Sequence, residues 1–474
     1  MTRIGPMAGL LAVALAFSSN ASEQSPPLSP DLQTFRETYQ ELVEINTTLS
    51  AGNCTTAAAA MAKRLRDAGL PASDVQVIVP PEFPKQGNLV AVLKGSNAKR
   101  KPILLLAHID VVEAKREDWQ RDPFELVEEN GYFYARGASD DKAMASVFVD
   151  SLVRYRKSGF RPQRDIKLAL TCGEETDAAF NGVSYLLAKY RPLIDAEFAL
   201  NEGSRGQLDE QGNRVLLGIQ VGEKIYQDFK LETTNPGGHS ARPRKDNAIV
   251  QLANGLGRLG AYDFPAHVSD VTREFFLQTA KLSSGDVAAD LRAAAQPNAD
   301  AAAIAKVAAR DPMWNAMMRT TCIATLINGG HAPNAQPQRA TANVNCRILP
   351  GESVESIQKT IVEVIADAGI KVTLADAPGP TSPAPPLTPM VLDPARKVAA
   401  KLWPGVPVVP SLSTGATDGR FMNAAGLPTY GLSGMFGDPD GNGVHGLNER
   451  IRVRSLYEGR EFLYEVAKLY AGGK

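Results

Sequence analysis

Imidazoles and carboxylates recur at one kind of position in this 474-residue chain. His108-Ile109-Asp110 directly follows the apolar run Ile103–Ala107, and Glu174-Glu175 follows Ile166–Leu170 by a short turn. Glu202 ends the run Glu197–Leu200. Asp140-Asp141 sits in a Gly-containing loop, Arg136-Gly137-Ala138-Ser139, that opens a helical pattern. Ligands in open α/β sheets bind at the carboxyl ends of strands, so a parallel sheet gathers these groups on one rim. Imidazole plus several carboxylates, with no thiolate, is a donor set for Zn²⁺, Co²⁺ or Mn²⁺ in hydrolytic chemistry. Carboxylates this close repel one another without cations, so two metals suit the set better than one. Each piece alone has a plainer explanation. His-x-Asp is a common polar pair, Asp-Asp a common helix N-cap, and Glu-Glu a common solvated pair. Their recurrence at strand ends is what joins them.

The elements that must hold these groups follow from hydrophobic periodicity. Asp31–Leu70 is helical, with apolar residues at three- and four-residue spacing. Val75–Val79 and Asn88–Leu93 are strand-like, and the short unbroken run Ile103–Ala107 suits a strand buried on both faces. Lys142–Arg156 and Gly182–Lys189 are helical, so strands alternate with helices and imply an α/β fold. After Gly222 the texture changes. Gln227–Thr233 alternates polar with apolar, Asn247–Leu259 is helical, and alanine-rich Val287–Ala309 is helical with a break at Pro297. Thr320–Ile327, Ala340–Leu349 and Ile370–Leu374 are further strands, with Val354–Ala366 helical. Proline-rich Ala377–Pro389 marks a boundary, and Leu392–Lys474 returns to α/β character. The predicted fold class is an α/β metal-binding catalytic domain with helices on both sheet faces, interrupted by a smaller α+β dimerisation or lid domain. The predicted division is 1–21, 22–222, 223–376 and 377–474.

Composition excludes other classes. With 51 basic and 52 acidic residues, the net charge of −1 carries no nucleic-acid footprint. An apolar fraction of 44% excludes a disordered chain. At the N-terminus, an apolar run from Met7 to Phe17 too short for a spanning helix precedes Ser19-Asn20-Ala21, a cleavage pattern. This reads as a signal peptide with a mature start near Ser22, hence a periplasmic or secreted protein with no stable membrane insertion. Export permits disulfides. Cys54, Cys172, Cys322 and Cys346 are nevertheless widely scattered, and read as buried free thiols, with a Cys322–Cys346 pair left open.

The ordered motifs resemble one family, the M20 co-catalytic metallopeptidases and aminoacylases, which includes glutamate carboxypeptidase-like, succinyl-diaminopimelate desuccinylase-like and carnosinase-like enzymes. The matching stretches are His108-Ile-Asp-Val-Val112, Arg136-Gly-Ala-Ser-Asp-Asp-Lys142, Thr171-Cys-Gly-Glu-Glu-Thr176 and Asn201-Glu-Gly203. Gly237-Gly-His-Ser240, Thr414-Gly-Ala-Thr-Asp-Gly-Arg-Phe421 and His445-Gly-Leu-Asn-Glu449 follow in family order. One departure is Glu113, where the family often has proline. The resemblance implies that Asp140 bridges two divalent metals, most often zinc, with Co or Mn as alternatives. His108 and Glu202 would complete one site, and Glu175 and His445 the other. It implies Glu174 as the general base, Asp110 as the group orienting His108, and a cis peptide at Asp140–Asp141.

Further expectations follow from the same resemblance. Glu174 takes a proton from a metal-activated water and delivers it to the leaving amine. His239 stabilises the oxyanion from the partner subunit, which makes a homodimer necessary. Asn334 and Arg347 bind a free substrate carboxylate, with Gly415, Ala416 and Thr417 adding donors. The expected function is hydrolysis of an amide bond next to a residue with a free carboxylate, of dipeptidase or carboxypeptidase type. N-acyl amino acid hydrolysis is the alternative. Other readings are a hydrolase of carbamoyl or formimino groups and a non-catalytic binding protein on the same fold. Partners would be a peptide or an N-acyl amino acid.

Overall fold

The computed structural model describes residues 28–97, 99–176 and 180–472. The expected signal segment therefore lies outside the described residues. Among these, a ten-stranded mixed sheet forms the larger body. Its centre is parallel: Ile166–Thr171, Ile103–His108, Phe198–Asn201 and Thr429–Gly431 lie side by side in that order. His108 pairs in register with Thr171, and Leu105 with Leu200, so three carboxyl ends reach one edge.

Alternation along Ile103–His108 shows why the sheet is buried on both sides. Leu105 and Ala107 face a core with Phe35, Met61, Phe148 and Leu463 from long helices. Leu104 and Leu106 face the opposite core with Val183, Leu186 and Met422. Both faces are thus covered by helices, as an unbroken apolar strand requires.

A four-stranded antiparallel sheet stands apart, in the order Thr321–Gly329, Arg339–Ile348, Ile225–Thr234, Ile370–Leu374. Helices Ala248–Gly260 and Val354–Ile365 cover one face through Leu252, Ile357 and Ile361 against Phe229, Leu231 and Val344. The other face is polar, because Tyr226 and Asp228 alternate with buried neighbours on one strand, as do Asn343, Asn345 and Arg347 on the next.

One strand departs from the sequence reading. Arg214–Glu223, to which that reading assigns no element, is a strand of 10 residues in the large sheet. The alanine-rich segment is split as expected around Pro297, into Gly285–Ala294 and Ala301–Arg310. Together with the helices Asp270–Leu282 and Pro312–Met318, it forms a core with Leu216, Val409 and Leu412 of the large sheet. These helices pack there because that apolar sheet surface needs a cover.

The free-thiol reading is overturned. Cys54 bonds Cys172, and Cys322 bonds Cys346. The second pair joins directly opposed residues on adjacent antiparallel strands. The first brings the start of helix Cys54–Asp67 to the end of strand Ile166–Thr171 across a separation of 118 residues, which no spacing rule reveals.

Candidate metal centre

His108 is the last residue of its strand, and its ring is buried. Its Nε2 lies 3.1 Å from Asp140 Oδ1 and 3.8 Å from Glu202 Oε1. The other Asp140 oxygen faces a second histidine, with His445 Nε2 at 3.3 Å from Oδ2 and 2.9 Å from Glu175 Oε1. Asp140 thus stands between two donor groups, His108–Glu202 on one side and Glu175–His445 on the other. In each group the ligand atoms lie within 4.8 Å of one another. A third set of the same kind joins His108 to Glu174 and Glu175.

Local structure explains how each group reaches the centre. Glu174 and Glu175 occupy the turn after strand Ile166–Thr171. The Asp110 carboxylate accepts from the backbone N–H of Glu174 at 3.3 Å and of Glu175 at 3.0 Å. The Nδ1 of His108 is 3.0 Å from the Asp110 carbonyl and 3.7 Å from its carboxylate. The nearer partner is therefore backbone, and the carboxylate holds the Glu174–Glu175 turn instead. The Asp140–Asp141 peptide is cis. His445 adopts φ 58°, a left-handed conformation uncommon for a residue with a side chain, in a loop where Asn442 and Asn448 do the same.

Glu449, the last residue of one of the motifs but given no role from the sequence, ties two of these segments together. Its carboxylate accepts from Arg136 Nη1 at 2.9 Å and from the N–H groups of Gly137, Ser139 and Asp140 at 3.0, 2.8 and 3.0 Å. The loop carrying Asp140 is thereby locked to the loop carrying His445. Glu449→Ala would take from buried Arg136 its carboxylate partner and leave it only the Gly446 carbonyl and the Trp119 ring. We expect a destabilisation of about 3–5 kcal/mol, measurable by denaturant unfolding. A change under about 1 kcal/mol would mean that the lock carries little of the stability.

The electrostatics are those of a cluster short of positive charge. Burial would lower the His108 pKa, but the bond to Asp140 and the charges of Glu202, Glu174 and Asp110 hold it well above its usual value. Bonds to Asp140 and Glu175 push His445 up to about 10. Burial, then Asp140, pushes Glu202 up to about 8. Burial and Glu202 also raise Glu174 well above the carboxylate range. Asp140 goes the other way: burial opposes ionisation, but the two histidines hold it far below that range. Imidazoles drawn toward protonation and carboxylates drawn toward neutrality describe a site that accepts cations in place of protons. Two imidazoles with several carboxylates fit divalent metals of borderline hardness.

A pocket of about 420 Å³ opens over this cluster. It is lined by Asp140, Glu174, Glu175, Glu202 and His445, with Arg347, Gly415 and Ala416 beyond them, together with Tyr226 and Arg420. The sequence reading gives no role to Tyr226 or Arg420, although Arg420 lies within the Thr414–Phe421 motif. Thr417 is turned inward. Its buried hydroxyl donates to Glu223 Oε2 at 2.9 Å and accepts from Asn201 Nδ2 at 3.2 Å, so it offers nothing to the pocket. His239 and Asn334 do not line the pocket of their own chain. Both are exposed and adjoin a two-stranded ladder, where Ser240 N–H donates to the Asn334 carbonyl at 3.1 Å. Glu113 is also elsewhere, accepting from the Ser50 hydroxyl at 2.7 Å.

Comparison with known proteins bears on the family and the fold. Residues 104–469 match the profile of Peptidase family M20/M25/M40. The N-fatty-acyl-amino acid synthase/hydrolase PM20D1 of Mus musculus is 27% identical over 386 residues, 79% of this chain and 75% of that protein. A probable carboxypeptidase S-like 2 of Dictyostelium discoideum is 26% identical over 402 residues, 80% of this chain and 74% of that protein. Among solved structures, an M20 family metallo-carboxypeptidase of Sulfolobus solfataricus superposes with a TM-score of 0.66 at 20% identity, covering 94% of this chain and 100% of that one. That likeness is one of fold.

Proposed function

The chain belongs to Peptidase family M20/M25/M40 and is a hydrolase of that peptidase and amidohydrolase group; from this premise we propose that it cleaves an amide bond next to a residue with a free carboxylate. The observation that carries the reading is the pocket itself. Its lining combines the acidic residues of the cluster and the His445 imidazole with the cationic side chain of Arg347. His108 and Glu202 would hold one divalent cation, Glu175 and His445 a second, and Asp140 both. Zinc suits these donors best, with Co or Mn as substitutes. When bound, the cations polarise the scissile carbonyl and lower the pKa of water.

The chain's own residues supply the rest. Glu174 accepts a proton from the attacking water and returns it to the leaving nitrogen as the C–N bond breaks. Asp110 positions Glu174 and Glu175 through their N–H groups. Arg347 pairs with the substrate carboxylate, as a planar fork of donors can.

Residues 223–376 would act as a lid and dimerisation domain. Support for a homodimer comes from the edge strand Thr321–Gly329, where Ile323, Leu326 and Ile327 are 67%, 70% and 63% exposed, next to exposed Ile249 and Val250. A long apolar edge is an aggregation hazard unless a second chain covers it. A second copy also provides a place for His239 and Asn334, which are remote from their own pocket. Export is supported by the pairing of all four cysteines, since disulfides persist in oxidising compartments.

Peptidase activity is the first reading, in line with the carboxypeptidase S-like relative. The second, N-acyl amino acid hydrolysis, is favoured by the name of the mouse relative. A release assay on metal-reconstituted protein, across dipeptides and N-acyl amino acids, separates them. Free amino acid should appear from one class, and only where the carboxylate is unblocked. Release from carboxyl-blocked substrates at equal rates would overturn the reading.

A further inference from the structure

Arg347 enters the catalytic pocket from the polar face of the smaller sheet, and its neighbours there form a closed frame. Tyr226 is its directly opposed partner on the adjacent strand. The guanidinium carbon lies 4.6 Å from the centroid of the ring of Tyr226, a residue that is 42% exposed and lines the pocket. The Tyr226 hydroxyl donates to Asp228 Oδ2 at 2.7 Å. Asp228 Oδ1 accepts from the side-chain amides of Asn343 and Asn345 at 2.9 Å each. Asn345 Oδ1 in turn accepts from Arg347 Nε at 3.4 Å, which closes the circuit. Among the described residues Arg347 forms no direct ion pair with a carboxylate, and the charge of Asp228 in the same frame acts on it from beyond contact.

We propose that Tyr226 is a positioning residue: its ring, anchored through Asp228, fixes the Arg347 guanidinium in the orientation that receives the substrate's carboxylate. The inference rests on the reading of Arg347 as the carboxylate-binding group. An arginine on a free stem loses rotamer freedom when it grips an anion, whereas one already stacked on a ring and bonded at Nε loses less. Stacking leaves the terminal N–H groups in the plane of the guanidinium for a bidentate contact. Asp228 serves the frame from a distance, because its oxygens are occupied by the tyrosine and the two asparagines.

The test uses competition against whichever substrate in the release assay turns over fastest. The amino acid released from that substrate and its carboxamide are each assayed as inhibitors of turnover by the metal-loaded protein. Wild type should bind the acid more tightly than the amide, and Arg347→Ala should reduce that preference by about a hundredfold. Tyr226→Leu should reduce it by about tenfold, raise KM and leave kcat nearly unchanged. Tyr226→Phe, which keeps the ring and loses the anchor, should fall between wild type and Tyr226→Leu. Adding Tyr226→Leu to Arg347→Ala should cost nothing further. Equal loss of acid and amide binding in Tyr226→Leu, or additive losses in the double variant, would overturn the proposal. If Arg347→Ala itself leaves the acid preference intact, the failure lies with the assignment of the carboxylate site, and this inference falls with it.

Discussion

Glu174→Gln should retain both metals and lose turnover by about 10²–10⁴, the usual contribution of a positioned general base. The substitution keeps the side chain's size and removes only its capacity to take up and release a proton. Wild-type protein should behave differently on chelation, losing metal and turnover together and recovering both with Zn²⁺, Co²⁺ or Mn²⁺. The contrast matters because Glu174 sits close enough to His108 and Glu175 to belong to a ligand set. Elemental analysis of the Gln variant decides between the roles. Loss of a metal would make Glu174 a ligand and pass the proton transfer to Glu175. Full turnover in metal-free wild type would discard the metal mechanism altogether.

Much of this centre was legible because its positions follow from local rules. Ile103–Ala107 is apolar without interruption, which implies burial on both faces, and His108 then stands at the carboxyl end of a central strand. The same logic places Glu174, Glu175 and Glu202. The polar face of the smaller sheet was also legible, since Gln227–Thr233 alternates with period two. Other features depend on contacts that sequence spacing does not encode. Cys54 meets Cys172 only after a helix and a strand have docked. Thr417 faces Glu223 because the strand Val408–Ser413, which ends just before it, pairs in parallel with Arg214–Glu223 and sets Ser413 opposite Glu223. Glu449 draws four donors from a loop more than 300 positions earlier, and nothing near it in sequence marks that function. Asp110 illustrates the intermediate case. Its proximity to His108 was readable, yet its carboxylate went to two backbone N–H groups that only the folded turn presents.

The remaining large effect concerns His239. His239→Ala should lower turnover by about 10²–10³ with metal content unchanged, as expected for loss of an oxyanion donor. The side chain is exposed, and its Nδ1 accepts from the Ala241 N–H at 3.0 Å, which leaves Nε2 free to donate. Because it does not line its own pocket, the donor for one site would be His239 of the partner subunit. A mixture of two inactive variants tests this directly. In a heterodimer of His239→Ala with Glu174→Gln, one pocket combines an intact Glu174 with an intact histidine from across the interface. That pocket should regain activity after subunit exchange, while each variant alone stays inactive. Leu326→Lys, which places a charge on the exposed apolar edge, should block both association and rescue. Confirmed exchange without recovered activity would show that His239 acts within its own chain or takes no part in the reaction. A fully active monomer of the Leu326→Lys variant would remove the need for a partner altogether.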